Sequence, residues 1–362
     1  MKLSMPLYRH TGDPVKAAEL VRDLESAGLD MVWVPEAYGF DAMSLVGYLA
    51  ASTDRIGIGT GIVNVFSRTP ALLAMSAAGA DSQSRGRFAL GIGASGPQVV
   101  EGFHGVPFEQ PLRRITETIE ICRSAWRREA PLTHDGRVFR LPLPADRGTG
   151  LGKPLRLIDH PYRNRIPIYW ASLMERSLQA TAELADGWLS FFFMPEGAAT
   201  VFGPALAAGT ARRSPGLGPL DVVAGGPVAV GENLPVDDLL DRERPMVARY
   251  LGGMGARGKN FYNDLACRYG YEAEAKTIQD LYLDGKKREA EAAVPREWLL
   301  RTTLIGPPGH VAERIHAYRE AGVTTLNVDP VGPDPAGTVA AVRRLMDGMN
   351  GVDSPAAAGR PV

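Results

Sequence analysis

The sequence lacks the features that mark several common protein classes. Its 362 residues include only two cysteines, Cys122 and Cys267, which form neither a disulfide framework nor a zinc-ligand spacing. Forty basic and 41 acidic side chains leave a net charge of −1, without the basic excess that nucleic acids and anionic membranes attract. No apolar run reaches the roughly 18 residues of a membrane span, and the N-terminus shows no apolar signal-peptide core. We therefore expect a cytoplasmic protein that binds neither nucleic acid nor membrane.

The motifs of several enzyme classes are missing as well. None of the six histidines forms an HxH or HxxxH pair, so no metal site is predicted. The absence of GxSxG argues against a serine hydrolase. Hydrophobic residues nevertheless make up 45% of the chain, enough for a large core.

Short apolar segments alternate with helix-length segments along the chain. The first strand candidate ends at Tyr8. The other seven lie at residues 31–34, 56–65, 88–92, 166–170, 187–191, 222–230 and 323–328. Asp13 and Pro14 form an N-cap and first turn for the first helix, and Gly28 stands where its C-terminal cap belongs. Eight such units predict an α/β protein with a closed (β/α)8 barrel, the TIM-barrel fold.

Two segments interrupt this alternation. Residues 131–164 are rich in Pro, Gly, Arg and Asp, whereas residues 237–301 are charged and are predicted to form several helices. Long insertions in a barrel commonly form the rim of the site, so we expect both at the catalytic rim. The prediction is one domain over residues 1–350, followed by a flexible tail at 351–362.

Candidate site residues follow the strands, because barrel enzymes carry their chemistry at the carboxyl ends of the strands. Glu36 follows the second strand, where a closed barrel mouth would desolvate its carboxyl group and make it a general acid. A solvated loop glutamate is an equally good interpretation. Asn64 and Val65 follow the third strand, which by itself is also compatible with an ordinary turn.

Two further loops have the properties of a cofactor site. Gly93, Ala94 and Ser95 follow the fourth strand, and glycine there lets the backbone approach a flat ring. After the fifth strand the chain passes directly into a helix, whose free amides form a phosphate site. The residues at this junction are Ala171, Ser172, Leu173 and Met174. The alternative is that Ser172 only caps the helix.

The order of these motifs resembles one family. TGIVNVFSRTP at 60–70, GRFALGIG at 86–93 and SGPQVVEGFHG at 95–105 closely resemble the luciferase-like oxidoreductases of actinobacteria. Within them the chain is similar to the coenzyme F420 branch, which includes methylenetetrahydromethanopterin reductase and F420-dependent glucose-6-phosphate dehydrogenase. The resemblance covers residues 1–194 well and 303–349 loosely, and it does not cover 237–301.

This resemblance implies a cofactor and roles for the candidate residues. The cofactor would be F420, with FMN as the alternative. A non-proline cis peptide bond would press on the deazaflavin ring at Asn64–Val65, and the amides of Ser172, Leu173 and Met174 would hold the cofactor phosphate. Glu36 would face the reactive ring.

The sequence departs from the family pattern at two positions. Ala94, Ser95 and Gly96 stand where many relatives have a catalytic acid, and Ala37 stands where some have histidine. Reduction of an activated C=C or C=N bond is therefore favoured over alcohol oxidation.

The predicted function is hydride transfer between F420 and a small organic substrate by a homodimeric enzyme. An FMN-dependent monooxygenase and a non-catalytic flavin-binding protein are the alternatives.

Overall fold

A computed structural model describes residues 1–352 of the chain. Its strands are β1 (Lys2–Pro6), β2 (Met31–Val34), β3 (Gly57–Thr60), β4 (Val63–Asn64), β5 (Phe88–Gly93), β6 (His134–Asp135), β7 (Arg140–Leu141), β8 (Ile168–Ala171), β9 (Gly187–Leu189), β10 (Asp221–Val230), β11 (Leu304–Gly306) and β12 (Thr325–Pro330).

The helices surround these strands. They are α1 (Pro14–Ser26), α2 (Ala42–Ser52), α3 (Pro70–Gln83), α4 (Pro97–Gly102), α5 (Pro111–Arg127), α6 (Glu175–Leu184), α7 (Pro195–Val201), α8 (Gly203–Thr210), α9 (Val236–Asp241), α10 (Arg244–Ala248), α11 (Phe261–Arg268), α12 (Glu272–Leu283), α13 (Lys287–Ala292), α14 (Arg296–Thr302), α15 (Pro308–Glu320) and α16 (Pro335–Val352).

Parallel pairing closes eight of the strands into a barrel. The order is β1–β2–β3–β5–β8–β9–β10–β12, and β12 returns to β1 with Leu3 opposite Leu326. The predicted (β/α)8 fold is confirmed, and each of the eight predicted strands has its counterpart. The short strand β11 was not predicted; it pairs with the last residues of β10.

The first strand–helix unit shows why the local sequence folds as it does. The Asp13 side chain accepts hydrogen bonds from the amides of Val15 and Lys16, which have no carbonyl partner at a helix start. Gly28 ends the unit with a φ of 92°, a conformation that favours glycine. Both predicted caps are confirmed.

The predicted third strand is two strands, with a bulge between them. β3 ends at Thr60, whose hydroxyl bonds to both the carbonyl and the amide of Gly91 at 2.8 Å. The chain then leaves the sheet at Gly61 and Ile62 and pairs with β5 again, Asn64 lying opposite Gly93.

The predicted position of the cis peptide bond is wrong. The non-proline cis bond joins Gly61 to Ile62 instead of Asn64 to Val65. Asn64 and Val65 are held in regular pairing, because the Val65 amide donates to the Gly93 carbonyl at 3.1 Å. The bulge lies three residues earlier, where Gly61 has no side chain to meet Trp33; a Cβ there would be 2.8 Å from the Trp33 Cβ.

The two long segments lie differently around the barrel. Residues 237–301 follow β10 and cover the carboxyl ends of the strands, with α9 to α14 and a π-helical turn between them. Residues 131–164 join the end of α5 to β8, and thus begin and end at the opposite face. Their hairpin folds back along α5 until the Phe139 ring lies 5.0 Å from the Arg114 guanidinium, which also covers Phe66 near the rim.

The last helix ends at Val352, so most of the predicted tail, residues 353–362, lies outside the described residues. Among the described helices, none combines the length and apolar character needed to cross a bilayer.

Candidate active site

Three adjacent strands bring the predicted cofactor residues together. Asn64 lies opposite Gly93 in the register of β4 and β5, and β8 pairs with β5 on its other side. A Cβ built on Gly93 would lie 3.0 Å from Ile62 Cδ1 and 3.8 Å from the Ala171 Cβ. Ile62, Asn64, Gly93 and Ala171 therefore form one continuous surface, which we call the bulge wall.

Asn64 offers a hydrogen bond that the protein does not use. Its side chain is only 3% exposed, and its Oδ1 accepts the Phe66 amide at 2.9 Å. Its Nδ2 is buried without a partner. A buried donor without an acceptor costs about 1–3 kcal/mol, so this atom is suited to bind an acceptor on a ligand. Val65 contributes differently: its side chain is buried in the hydrophobic core.

The loop after β5 has the exposure expected of a binding loop. Ala94, Ser95 and Gly96 are half-buried, and Ser95 has a φ of 57°, in the left-handed region. This turn directs the chain into α4, for which Gly96 is the N-cap.

The junction between β8 and α6 has free amides, and its N-cap residue is Met174 instead of Ser172. Ser172 is buried, and its hydroxyl is 2.8 Å from the Thr181 hydroxyl. Met174 is the N-cap, and its side chain makes no capping bond. The first amides of α6 therefore have no side-chain acceptor. Arg268 of α11 donates to the Leu173 carbonyl at 2.7 Å and adds positive charge beside this helix start.

Glu36 lies at the mouth in an ion pair that the sequence did not reveal. Its side chain is 10% exposed, and Arg68 donates to both carboxylate oxygens at 2.5 and 2.7 Å. The Ala42 amide at the start of α2 donates to it at 3.0 Å, and Asp41 also binds Arg68. The hydrogen bonds that Arg68 donates to Glu36 raise the pKa of Arg68 by more than burial lowers it.

A second charged group lies at the ends of β1 and β12, beside β2, and was missed. Tyr8 and Arg9 follow β1, and Asp329 lies near the end of β12. Tyr8 donates to Asp329 at 2.7 Å, and Arg9 Nη2 is 3.0 Å from Asp329 and 3.4 Å from Glu243, which precedes α10. Tyr8, Arg9 and Asp329 could have been found, because they follow or end strands as Glu36 does. Glu243 gave no such signal.

Aromatic side chains line the rim. Tyr38 and Phe40 after β2 and Phe103 after α4 are exposed, and Tyr38 accepts a hydrogen bond from Arg249 at 2.9 Å. This bond ties the strand-two loop to the segment that covers the mouth. Within the described residues, no group of three or more His, Cys, Asp or Glu side chains could hold a metal ion.

A cavity of about 410 Å³ lies elsewhere, between α5 and the β6–β7 hairpin. Burial alone would raise the pKa of Glu117 there, but the amides of Phe139, Arg137 and Val138 donate to it and lower its pKa. The carboxylate thus fixes the hairpin to α5, and the cavity does not reach the strand ends.

Comparison with known proteins agrees with the fold. The family model described as luciferase-like monooxygenase matches residues 4–325. A Mycobacterium tuberculosis protein provisionally named a coenzyme F420-dependent oxidoreductase is 37% identical over 91% of this chain and 94% of its own length. The 5,10-methylenetetrahydromethanopterin reductase of Archaeoglobus fulgidus is 29% identical over 87% of this chain and 89% of its own length.

Among solved structures, the F420-dependent tetrahydromethanopterin reductase of Methanopyrus kandleri has the same fold. Its TM-score is 0.75 at 22% identity, over 94% of this chain and 96% of that one. Together with the barrel and the converging strand ends, these matches show that the chain is an enzyme that belongs to the luciferase-like family.

Proposed function

We propose that this enzyme is an F420-dependent oxidoreductase that transfers a hydride between the deazaflavin ring and a small organic substrate. The observation that carries the proposal is the unpaired Nδ2 of Asn64 on the bulge wall, next to Gly93 and Ala171. The names of the relatives support F420 over FMN as the cofactor. Reduction of an activated C=C or C=N bond is the favoured direction.

The residues present are suited to this cofactor. When bound, a deazaflavin supplies or takes up a hydride. Ile62 and Gly93 would lie against a flat ring, Asn64 would donate to a ring acceptor, and Ala94 and Ser95 would border it. A phosphate would be held by the amides of Met174 and the start of α6, which Ser172 and Leu173 precede in the chain. Arg268 would add positive charge there.

Glu36 is the proposed proton partner of the reaction. It lies at the mouth, in the ion pair with Arg68. Its carboxyl group would exchange a proton with the substrate while Arg68 keeps it in place.

Titration of the apoprotein with F420 and with FMN tests the cofactor assignment. Quenching of tryptophan fluorescence should saturate at a much lower concentration of F420 than of FMN. Tighter binding of FMN would favour the monooxygenase alternative, and tight F420 binding without turnover of any acceptor would favour a non-catalytic binding protein.

Asn64→Asp should weaken F420 binding by about 10-fold to 100-fold, because it replaces the unused donor with an acceptor. The Phe66 amide keeps its acceptor, but the buried carboxylate should lower the melting temperature, so the affinity is measured on the folded fraction. Asn263→Asp is the matched control: that amide already donates to Leu251 and Ala275, so its loss should lower stability without changing cofactor affinity. Equal F420 affinity for Asn64→Asp and wild type would contradict the role of Asn64.

We also propose that the enzyme is a homodimer that associates through α2 and α3. These neighbouring helices expose Tyr48, Leu72 and Met75, at 43%, 47% and 56%. Leu72, Met75 and the open Gly79 lie on one face of α3, which permits close helix packing. The compartment proposed is the cytoplasm, with which two free thiols agree.

Met75→Asp should convert the dimer to a monomer, because it places a charge at the centre of this apolar face. Light scattering on the purified protein measures the mass directly. Val15→Asp, on the exposed side of α1, should leave the mass unchanged. A monomeric wild type, or a dimer that tolerates Met75→Asp, would overturn this interface.

A further inference from the structure

The charged group opposite the bulge wall contains one more carboxylate than cations. Asp329 and Glu243 are 3% and 2% exposed, and both contact the same nitrogen, Arg9 Nη2. Two buried carboxylates beside a single guanidinium leave one negative charge uncompensated, which is costly in a low-dielectric site.

Glu243 shows where this imbalance is resolved. Its Oε1 is 3.4 Å from Arg9, whereas its Oε2 is buried and has no hydrogen-bond partner. An ionised oxygen without a donor is strongly disfavoured inside a protein, but a protonated carboxyl group at that position carries no charge.

The surrounding groups make the pair retain a proton. Burial raises the pKa of Glu243; the nearby Asp329 raises it further, while Arg9 lowers it. Burial also raises the pKa of Asp329, and the contacts with Tyr8 and Arg9 offset only part of this rise. The other titratable group that faces them is His10, whose pKa burial lowers, so it contributes little positive charge at neutral pH. The two carboxyl groups titrate as a coupled unit.

Tyr8 connects this unit with the mouth. Its hydroxyl is 2.7 Å from Asp329 Oδ2, while 46% of the residue is exposed. Burial raises the pKa of Tyr8, so the hydroxyl stays protonated and can give up its hydrogen only as it receives another.

We propose that Glu243 and Asp329 hold one shared proton and deliver it through the Tyr8 hydroxyl to a substrate in the barrel mouth. This rests on the proposed function, but reduction consumes a single proton, so the pair is an alternative source to Glu36, and the single-turnover rates of the Tyr8 and Glu36 variants decide between them. As the substrate carbon gains the hydride, the atom bonded to it gains an electron pair and takes the Tyr8 hydrogen. Tyr8 is reprotonated from Asp329, the substrate is reduced and the hydride donor is oxidised. The pair regains its proton from water.

The first test needs no cofactor. Infrared spectra of the apoprotein at neutral pH should show the C=O band of a protonated carboxylic acid. Glu243→Gln should remove this band, and Tyr8→Phe should retain it. The exposed Glu232, changed to Gln, is the matched control and should leave the spectrum unchanged. A wild-type spectrum without a protonated carboxyl group would overturn the proposal.

Thermal stability provides an independent measurement. Because both folded-state pKa values are raised, the wild type should lose stability as the pH rises from the unfolded values through the raised ones. Glu243→Gln should reduce this loss. If the variant retains the full pH dependence, the pair does not store the proton.

Single-turnover reduction completes the test. Glu243→Gln and Tyr8→Phe should each slow it by about 10²–10⁴-fold at unchanged cofactor affinity. Normal rates in both would show that the pair has no catalytic role, whereas absence of F420 binding in the wild type would refute the proposed function and leave the infrared result valid.

Discussion

Glu36→Gln should slow single-turnover hydride transfer by about 10²–10⁴-fold and leave the affinity for F420 nearly unchanged. Glutamine keeps the shape of the side chain but cannot exchange a proton. It also breaks a paired carboxylate contact with Arg68, so the experiment must separate chemistry from structure. The rate per folded molecule, the cofactor affinity and the melting temperature, measured on the same variant, make that separation.

A structural role of Glu36 predicts a different pattern. Its contacts with Arg68 and the Ala42 amide would then only hold the strand-two loop, and the variant would lose stability at a normal single-turnover rate. Glu25→Gln is the matched control, because Glu25 accepts the amides of Arg55 and Ile56 at the amino-terminal face of the barrel. That variant should change stability alone.

Gly93→Val should reduce F420 affinity by up to about 100-fold, the equivalent of the 1–3 kcal/mol that overpacking costs. Even a Cβ would lie 3.0 Å from Ile62 Cδ1, and the branched side chain would displace Ile62 and press on Ala171. The bulge wall would then no longer offer a flat surface to the ring. Isothermal titration with F420 measures the effect.

Gly203→Val is the control for this substitution, because a Cβ at Gly203 meets no atom within 4 Å. Cofactor affinity should stay at the wild-type value there. Unchanged affinity in Gly93→Val would show that the ring lies elsewhere.

The barrel could be predicted because each unit carries its own signal. Asp13 and Pro14 start α1, Gly28 ends it, and the apolar run Met31–Val34 forms β2 over the predicted residues. These are local preferences of backbone and side chain, and eight repetitions leave few architectures available. The convergence of Asn64, Gly93 and Ala171 follows from that topology, since parallel strands end on one face.

The details of the site depended on contacts between distant residues. The single strand predicted from Ile56 to Val65 gave no sign of the bulge, which arises where Gly61 passes Trp33 and Thr60 bonds to Gly91. The cis bond was therefore placed three residues too late. The position of Glu36 was predicted, but its pairing with Arg68, 32 residues away, was not.

The sequence by itself determined the barrel, its family and the loops that surround the mouth, because periodicity, caps and strand ends are local properties. Only the tertiary structure decided which charged groups meet at the mouth. Tyr8, Glu243 and Asp329 are separated by 235 and 86 residues in the chain and meet only when β12 closes the barrel against β1 and the covering segment folds over it. Desolvation and shared hydrogen bonds, which set how readily a carboxyl group holds a proton, exist only after that closure.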